Sequence, residues 1–340
     1  ASDVYKRQDF ARYTSRSHGT SGPDANHRNA AKRNRPNQTV GPGHLHGRKA
    51  VGATKEGKQL VAEGDGAYVL TRLGSRHSDH ALEFLNAHVG GAQTKERPFF
   101  LYYPANSNHG PYTPDKAIGG RPVAGAARTK SGAPMDARHD YIYENDVALG
   151  RLIDWLEATP DPRRAGRKLI KNTLVIFTSD NGPWNQDRYT KRKKGHPAGA
   201  IFWGEAGPLR NGKGSPYEAG YRLPCIVRWP GKVPAGRVND AVFASIDFMP
   251  TFANLCGFAL PKDRHIDGID QSDLLFGKRE TGREFFYFNK AGVRKGKWKY
   301  LRANAHFHGY AVDDQRPKAE ELYDLEADLG ERNNLSLIHI

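Results

Sequence analysis

The sequence predicts an α/β fold with a largely parallel central sheet flanked by helices, followed by a small antiparallel α+β subdomain at the carboxyl terminus. Three observations lead to this prediction. Helix-like and strand-like apolar patterns alternate from Tyr68 onward, residues 174–177 are apolar without interruption, and short runs of alternating polarity begin near Glu284. Uninterrupted apolar runs are typical of parallel strands covered on both faces, and alternation is typical of antiparallel strands with one solvated face.

The first regular elements are a helix, a strand and a longer helix. Residues 77–88 carry apolar side chains at helical spacing, and a strand is predicted over residues 99–103, directly after Pro98. Residues 140–157 give the clearest helical pattern, which ends before Pro160. An alternation of helices and strands favours a parallel sheet with helices on its faces.

The second half of the chain contains shorter elements. A buried strand is predicted over residues 225–229, and residues 241–256 predict a strand that turns into a helix at residues 248–255. The alternating runs that predict the small antiparallel sheet are residues 285–288, 291–294 and 298–301. A subdomain boundary is placed near residues 278–282, and the predicted segments are therefore 1–58, 59–280, 281–334 and 335–340.

The chain has 340 residues and a formal net charge of +15. Residues 10–58 are rich in basic side chains and lack periodic apolar positions, so they are predicted to be irregular. They show no nucleic-acid-binding motif and few aromatic residues for base stacking, and no specific nucleic acid partner is expected. An anionic substrate is the favoured explanation of the charge, and a solvated face without a partner is the alternative.

No stretch approaches the roughly 20 apolar residues of a membrane helix, so no membrane span is predicted, and the compartment is left open. Residues 1–8 and 335–340 differ in character from the sequence that they flank and are treated as non-native ends, with frayed native termini as the alternative. Cys225 and Cys256 lie in apolar contexts, which predicts two buried core thiols rather than a disulfide framework.

Two oxygen-bearing side chains follow the predicted central strand. Asp180 and Asn181 come directly after it, and Gly182 and Pro183 end it. Ligands in open α/β sheets bind beyond the carboxyl ends of the strands, and oxygen ligands suit Ca²⁺ or Mg²⁺. The sequence therefore predicts a divalent metal site at Asp180 and Asn181. The alternative is a simple turn, because Asp-Asn-Gly-Pro is also favourable turn chemistry.

His109 and Lys213 are the other candidate site residues. His109 lies in a polar segment after the strand predicted at residues 99–103. Lys213 is flanked by glycines, which give an anion access to the backbone. A loop histidine and a solvated turn are the respective alternatives. His196 is interpreted as a loop residue, and Glu218 and Arg222 are interpreted as a structural pair.

Four ordered motifs resemble the formylglycine-dependent sulfatases, an arylsulfatase family of the alkaline-phosphatase-like superfamily. These motifs are Thr-Ser-Asp-Asn-Gly-Pro at 178–183, Leu-Arg-x-Gly-Lys-Gly-x-x-x-Glu-x-Gly-x-Arg-Leu-Pro at 209–224, Ile-Val-Arg-Trp-Pro-Gly-Lys at 226–232 and Glu-Leu-Tyr-Asp-Leu-Glu-Ala-Asp at 321–328. Residues 146–151 and 247–252 fit the same family. The resemblance covers roughly residues 68–335.

The resemblance implies a sulfuric ester hydrolase that acts on a sulfated small molecule or a sulfated glycan. Asp180 and Asn181 resemble two ligands of the family's cation, Ca²⁺ or Mg²⁺, and Lys213 resembles the lysine that contacts sulfate. His109 resembles the histidine that binds sulfate or protonates the leaving oxygen, a role suited to imidazole. By family alone, a periplasmic, extracellular or lysosomal location is suggested.

The sequence also departs from the family pattern. The motif Cys/Ser-x-Pro/Ala-x-Arg, from which the formylglycine nucleophile is made, does not occur in it, and neither does the Asp-Asp pair that completes the cation site. Residues 59–280 are therefore expected to be a partial catalytic domain, in a fragment that is inactive alone. Ala219, where glycine is usual, and the insertion at residues 184–203 are smaller departures.

Two other functions fit parts of the sequence. A related phosphodiester or phosphonate hydrolase would keep the fold and the Asp-Asn metal strand and change the substrate. A non-catalytic polyanion-binding protein would explain the net charge of +15 and the missing nucleophile motif. Assays on sulfate and phosphate esters separate the first alternative from a sulfatase, and salt-dependent retention on a polyanion identifies the second.

Overall fold

The computed structural model of the chain describes residues 70–109, 112–183, 204–305 and 317–336, together with the backbone of four short strands between residues 45 and 62. The chain divides into two compact units, Ala1–Lys168 and Leu169–Ile340. The predicted basic segment at 10–58 lies outside the described residues except for its short strands. The predicted domain boundaries at residues 58/59 and 280/281 remain predictions.

The first unit is built around two long helices. Its helices are α1 (Leu73–Gly90) and α2 (Ala137–Ala158), and its strands are β1 (Leu45–His46), β2 (Lys49–Ala50), β3 (Ala53–Glu56), β4 (Gln59–Ala62), β5 (Ala117–Ile118) and β6 (Arg121–Pro122). The strands form three antiparallel pairs in chain order. The predicted helices at 77–88 and 140–157 are thus confirmed and are a few residues longer than the sequence pattern indicated.

Helix α2 begins with a side-chain cap and buries its apolar stripe. The Asp136 carboxylate accepts hydrogen bonds from the backbone N–H groups of Arg138 and His139, both at 3.1 Å. A capping carboxylate satisfies N–H groups that have no partner within the helix. Val147 and Ala148 of α2 then pack with Ile118 of β5 and with Val123, which follows β6, in a buried cluster. The cap and this cluster fix the helix that supports the His109 segment.

The second unit combines short helices with antiparallel strands. Its helices are α3 (Glu218–Tyr221), α4 (Phe248–Cys256) and α5 (Ser272–Leu275), and its strands are β7 (Val175–Thr178), β8 (Cys225–Arg228), β9 (Phe285–Tyr287), β10 (Gly292–Lys295), β11 (Trp298–Leu301) and β12 (Glu321–Asp324). Single turns of 3₁₀ helix occur at Leu169–Asn172 and Ser245–Asp247. The predicted helix at 248–255 is confirmed.

Strands β9 to β12 form the antiparallel sheet predicted near the carboxyl terminus. The four strands are hydrogen-bonded in the order β12–β11–β10–β9. Leu301 and Tyr323 from this sheet are buried with Tyr217 and Leu325 in one cluster. The alternating pattern predicted the sheet correctly but not all of the side chains that it buries, because in β11 Lys299 is buried and Trp298 is 44% exposed.

The predicted parallel central sheet is not confirmed. β7 pairs with β8 in antiparallel register, with Val175 opposite Arg228 and Thr178 opposite Cys225. Every strand pair in the described part of the chain is antiparallel. An apolar run does not show the direction of its neighbour, and this explains the difference. The predicted burial of these two strands is also wrong, because no residue of β7 or β8 is fully buried and Ile226 is 64% exposed.

Two further predictions are corrected. Residues 98–106 contain no strand, and Phe100 and Tyr102 are 57% and 69% exposed. Residues 241–244 are likewise irregular. A bulky apolar run becomes a strand only where a neighbouring segment supplies a ladder of hydrogen bonds. Residues 98–106 are not paired with a described strand, and at residues 241–244 the bond from Arg283 N–H to the Val242 carbonyl, at 2.9 Å, is not extended into a ladder.

The two cysteines were predicted to be buried, and both are exposed free thiols. Cys225 begins β8 beside Ile226, which is 64% exposed. Cys256 is the last residue of α4 and precedes Gly257, where the helix ends. Their apolar neighbours in sequence do not bury them because each lies at the end of its element. No helix in the described residues is long and apolar enough to cross a membrane.

Candidate active site

Asp180 and Asn181 lie in the loop that follows β7, as the sequence predicts. Thr178 is the last residue of the strand, and the Ser179 hydroxyl donates to the backbone carbonyl of Asn181 at 3.0 Å. The Asn181 side-chain amide donates to the Gly182 carbonyl at 3.1 Å. This bond uses the amide nitrogen of Asn181, so that its Oδ1 is the atom available to a cation.

Gly182 makes this loop pack closely on α3. Its N–H group donates to the Gly220 carbonyl at 3.2 Å. A Cβ atom built on Gly182 would lie only 1.6 Å from the carbonyl oxygen of Ala219. No side chain fits in that space, so glycine is required by backbone contact rather than by turn conformation. The Asp180 loop and α3 are therefore held in direct backbone contact.

Lys213 is attached to the same loop from the other side. Its backbone N–H donates to the Pro183 carbonyl at 2.7 Å. Asn211 and Gly214, on either side of it, have positive φ angles of 63° and 80°, which bend the chain sharply around Lys213. The structure thus brings Lys213 next to the segment that carries Asp180 and Asn181, although Lys213 lies 30 positions after Pro183 in sequence.

The donor set at this loop is compatible with a divalent cation but is incomplete. The Asp180 carboxylate is exposed, and no hydrogen bond or ion pair joins it to another described residue. Asn181 adds one amide oxygen. In the described part of the chain, no three His, Cys, Asp or Glu side chains come together as a metal-binding group. Ca²⁺ takes about 6–8 oxygen ligands, so a calcium site here would need further ligands beside these two.

His109 lies in the first unit, on a loop fixed to α2. The Ser107 hydroxyl donates to the Glu144 carboxylate, and the Asn145 side-chain amide donates to the Ser107 carbonyl at 3.0 Å. The Asn106 side-chain amide also donates to the Tyr141 hydroxyl. The backbone N–H of His109 donates to the Asn106 carbonyl at 3.1 Å, and its side chain is exposed. The loop is therefore held to α2 by hydrogen bonds and leaves the His109 side chain exposed to solvent.

Glu144 is the central group of that anchor. Its second carboxylate oxygen accepts the backbone N–H of Asp115 at 2.7 Å. Burial raises the pKa of the Glu144 carboxyl, and its hydrogen bonds to Asp115 and Ser107 oppose that effect. The convergence of His109 with Lys213 was predicted from the sequence. It remains a prediction because the two residues belong to different units.

Glu218 and Arg222 form the predicted structural pair, at 3.5 Å between Arg222 Nε and Glu218 Oε2. The structure adds partners that the sequence did not predict. Lys299 and Glu331 are both fully buried and join Glu218 in one charged cluster. Lys299 lies in a strand pattern whose polar residues were expected to face solvent, and Glu331 lies beyond the last strand. No sequence signal pointed to either residue.

Arg210 was also missed. Its guanidinium lies 3.9 Å from the centre of the Tyr217 ring and donates to the Tyr323 hydroxyl at 2.8 Å. The Leu-Arg dipeptide of the motif at 209–224 could have indicated a functional arginine, but in the structure these contacts tie the Lys213 segment to the carboxyl-terminal sheet. His196 and the insertion at 184–203 lie outside the described residues.

Two family models match this chain. Residues 1–258 match the model described as Sulfatase, and residues 212–337 match the model described as N-sulphoglucosamine sulphohydrolase, C-terminal. The first match begins well before Tyr68, where the resemblance was placed from the motifs alone. The chain belongs to the sulfatase family.

Individual relatives agree with this assignment. The N-acetylgalactosamine-6-O-sulfatase of Bacteroides thetaiotaomicron is 34% identical over 256 residues, which are 72% of this chain and 45% of that protein. Human arylsulfatase A is 32% identical over 278 residues, which are 75% of this chain and 47% of that protein. The chain spans about half the length of these two relatives.

A solved structure gives the same result for the fold. It is a sulfatase of Bacteroides thetaiotaomicron whose description concerns the metabolism of multiple glycosaminoglycans. It matches with a TM-score of 0.60 at 30% identity and covers 83% of this chain and 54% of that one. The likeness places the chain among proteins of the alkaline-phosphatase-like fold.

Proposed function

We propose that the complete protein hydrolyses a sulfate ester with the help of a divalent cation, and that this chain supplies part of the cation site and a cationic contact to the sulfate group. The observation that carries the proposal is the hydrogen bond from Lys213 N–H to the Pro183 carbonyl, at 2.7 Å. This bond joins the lysine to the loop of Asp180 and Asn181. The segments that carry an ammonium group and two oxygen ligands are thus adjacent, and such groups would suit an anion bound to a cation.

Asp180 and Asn181 would hold Ca²⁺ or Mg²⁺ through a carboxylate oxygen and the free amide oxygen of Asn181. When bound, such a cation polarises the sulfate oxygens and stabilises the charge that develops on them. Ligands beyond these two residues complete the coordination sphere. By its resemblance to the family, the complete protein would have a largely parallel central sheet, and β7 would be one of its strands.

Lys213 would contact the sulfate group directly. Its two flanking glycines leave space for an anion to approach the backbone as well as the ammonium group. His109 would either bind a sulfate oxygen or give a proton to the leaving oxygen, and its exposed ring on an anchored loop is compatible with both roles. A fixed set of charges around the ester is the main way in which such transfers are accelerated.

The attacking group of the family is a hydrated formylglycine made from Cys or Ser. The motif that would yield it does not occur in this sequence, and neither Cys225 nor Cys256 is followed by the required residues. The 340-residue chain alone is therefore expected not to turn over aryl sulfates, because losing a covalent nucleophile leaves only a small residual rate.

The substrate class that follows from the family is a sulfated small molecule or a sulfated glycan. One relative is named for N-acetylgalactosamine 6-O-sulfate groups, and this supports a glycan for the complete protein. Excess positive charge in the chain also favours an anionic substrate over a neutral one.

The test is a pair of kinetic assays on the complete protein, with aryl sulfate and aryl phosphate esters of the same leaving group and with added Ca²⁺. We expect kcat/KM to be higher for the sulfate ester and to fall sharply in Asp180→Ala, with Asp263→Ala as a matched exposed control. A preference for phosphate of more than about tenfold, or ~1.4 kcal/mol in transition-state binding, would overturn the proposal in favour of a phosphodiester or phosphonate hydrolase.

A further inference from the structure

We propose that Lys299, in the carboxyl-terminal sheet, is a positioning residue for Lys213 and for the Asp180 loop. It acts through Glu218, at the start of α3. The inference rests on the proposed function in one respect, namely that Lys213 contacts the sulfate group. The contacts that make Lys299 a positioning residue are independent of that role.

Lys299 is buried between two carboxylates. Its Nζ lies 2.9 Å from Glu218 Oε1 and 2.8 Å from Glu331 Oε1. The side chains of Lys299 and Glu331 are 0% exposed, and that of Glu218 is 3% exposed. Charges taken out of water in this way have fixed geometry, since no solvent is present to replace a lost partner. One ammonium group therefore sets the separation of two carboxylates.

Glu331 completes the connection to α3. Its other oxygen, Oε2, accepts the backbone N–H of Glu218 at 2.6 Å. Helix α3 is a single turn, so this carboxylate holds one of the N–H groups that the helix itself leaves without a partner. Lys299 thus holds Glu218 in two ways. It pairs directly with the Glu218 side chain, and it pairs with Glu331, which in turn accepts the Glu218 backbone N–H.

Two arginines lie nearby but do not replace Lys299. Arg222 Nε is 3.5 Å and Arg294 Nη1 is 3.8 Å from Glu218 Oε2, both longer than the Lys299 contacts. Neither forms an ion pair with Glu331 among the described contacts. Without Lys299, Glu218 and Glu331 would be two buried carboxylates with a shared backbone contact, and their repulsion would move α3.

The position of α3 fixes the candidate site from both sides. The Gly220 carbonyl, within α3, accepts the Gly182 N–H at 3.2 Å, next to Asn181. The Ala219 N–H donates to the Arg210 carbonyl at 3.1 Å, three residues before Lys213. A shift of α3 must therefore change both the loop of the cation ligands and the segment that carries Lys213.

The experiment is hydrogen–deuterium exchange of backbone amides in the 340-residue chain, measured by NMR for the wild type and for Lys299→Met. Methionine keeps the length of the apolar stem and removes the charge. We expect the amides of Lys213 and Gly182 to exchange roughly tenfold faster in the variant, relative to the amide of Phe258. Phe258 N–H bonds the Ala253 carbonyl at 2.8 Å at the end of α4, in the same unit, and reports on general loss of stability.

Lys297→Met is the matched control. Lys297 lies two residues away in the same hairpin and pairs with Asp324 at 2.7 Å, but it is 38% exposed. Lys297→Met should leave the exchange rates of the Lys213, Gly182 and Phe258 amides unchanged. Equal acceleration of Lys213, Gly182 and Phe258 in Lys299→Met would overturn the proposal, because it would show a loss of stability without selective positioning. Unchanged rates at Lys213 and Gly182 would also overturn it.

A second variant covers the case in which Lys299→Met does not fold. Glu218→Gln keeps the shape of the side chain and removes the charge through which Lys299 acts, and it must accelerate the same two amides relative to Phe258. A sulfate titration of Lys213→Ala tests the proposed function separately. If that variant binds sulfate like the wild type, the role of Lys213 is wrong, whereas the exchange result still decides whether Lys299 positions the loop.

Discussion

Lys213 donates its backbone N–H to the carbonyl oxygen of Pro183 at 2.7 Å, and this bond joins two motifs that lie far apart in the sequence. Together with the bond from Gly182 to Gly220, it joins the Asp180 loop, the Lys213 turn and α3 in one hydrogen-bonded assembly. The cation ligands and the sulfate contact of the proposed site are thereby placed by backbone geometry, which no side-chain substitution at Lys213 itself should disturb.

Gly182→Ala is expected to destabilise the second unit by at least about 3 kcal/mol, because a Cβ would overlap the Ala219 carbonyl and the backbone must move to admit it. Chemical denaturation followed by fluorescence measures the change. Gly90→Ala is the control, since nothing lies within 4 Å of a Cβ built there. A Gly182→Ala protein as stable as the wild type would show that the loop does not contact α3 as described.

The first unit is expected to lose stability as the pH falls below neutrality, because of His77. Burial lowers the pKa of His77 from 6.5 to about 4, and the nearby charges of His80 and Arg76 add to this effect. The unfolded chain takes up the proton below about pH 6.5 and the folded chain only near pH 4, so the stabilisation is full above pH 6.5 and is lost as the pH falls through this window.

The size of that loss is about 3 kcal/mol. His77→Phe keeps a ring beside Tyr103, whose centroid lies 6.4 Å away, and should remove most of the pH dependence of unfolding between pH 6.5 and 4. His265→Gln, at an exposed position in the other unit, should not. The same slope of stability against pH in His77→Phe and in the wild type would contradict this assignment.

Asp136→Ala is expected to destabilise α2 by about 0.5–2 kcal/mol through loss of the cap. Desolvation raises the pKa of Asp136, but hydrogen bonds from the His139 side chain and from the backbone of His139 and Arg138 outweigh it and lower the pKa. The Asp136 cap therefore stabilises α2 fully above the usual pKa range of an aspartate, and this contribution is lost as the pH falls through the lowered pKa of Asp136. Asp154→Ala, near the carboxyl-terminal end of α2, is the control, and thermal unfolding at pH 7 and pH 3 is the measurement. Equal destabilisation at both pH values would contradict the role of the carboxylate.

Much of the local structure was predictable from the sequence. The two long helices, α4 and the antiparallel sheet follow from apolar periodicity, because in each of them one face is buried and the other is not. The loop of Asp180 and Asn181 and the turn of Lys213 follow from glycines at positions where a side chain does not fit or φ is positive. These are constraints of one segment at a time, and a sequence displays them directly.

What the sequence did not predict depends on distant partners. The direction of β7 relative to β8, the exposure of Cys225 and the irregular path of residues 99–103 are decided by which segments pack nearby. The burial of Lys299 and Glu331 is a similar case, because a charged side chain in an alternating strand is normally expected to face solvent. Only their mutual neutralisation within the folded unit allows them to be buried.

The central claim is that Asp180, Asn181 and Lys213 form one site for a cation and a sulfate group. An NMR titration of the 340-residue chain, first with CaCl₂ and then with sodium sulfate, tests it most directly. We expect Ca²⁺ to shift the amides of Asp180 and Asn181, sulfate to shift those of Lys213 and Gly214, and each ion to tighten the binding of the other. Asp180→Ala should abolish the first effect and the coupling, and Lys232→Ala should change neither. Sulfate shifts that are confined to other basic segments, or that do not depend on Asp180, would contradict the claim.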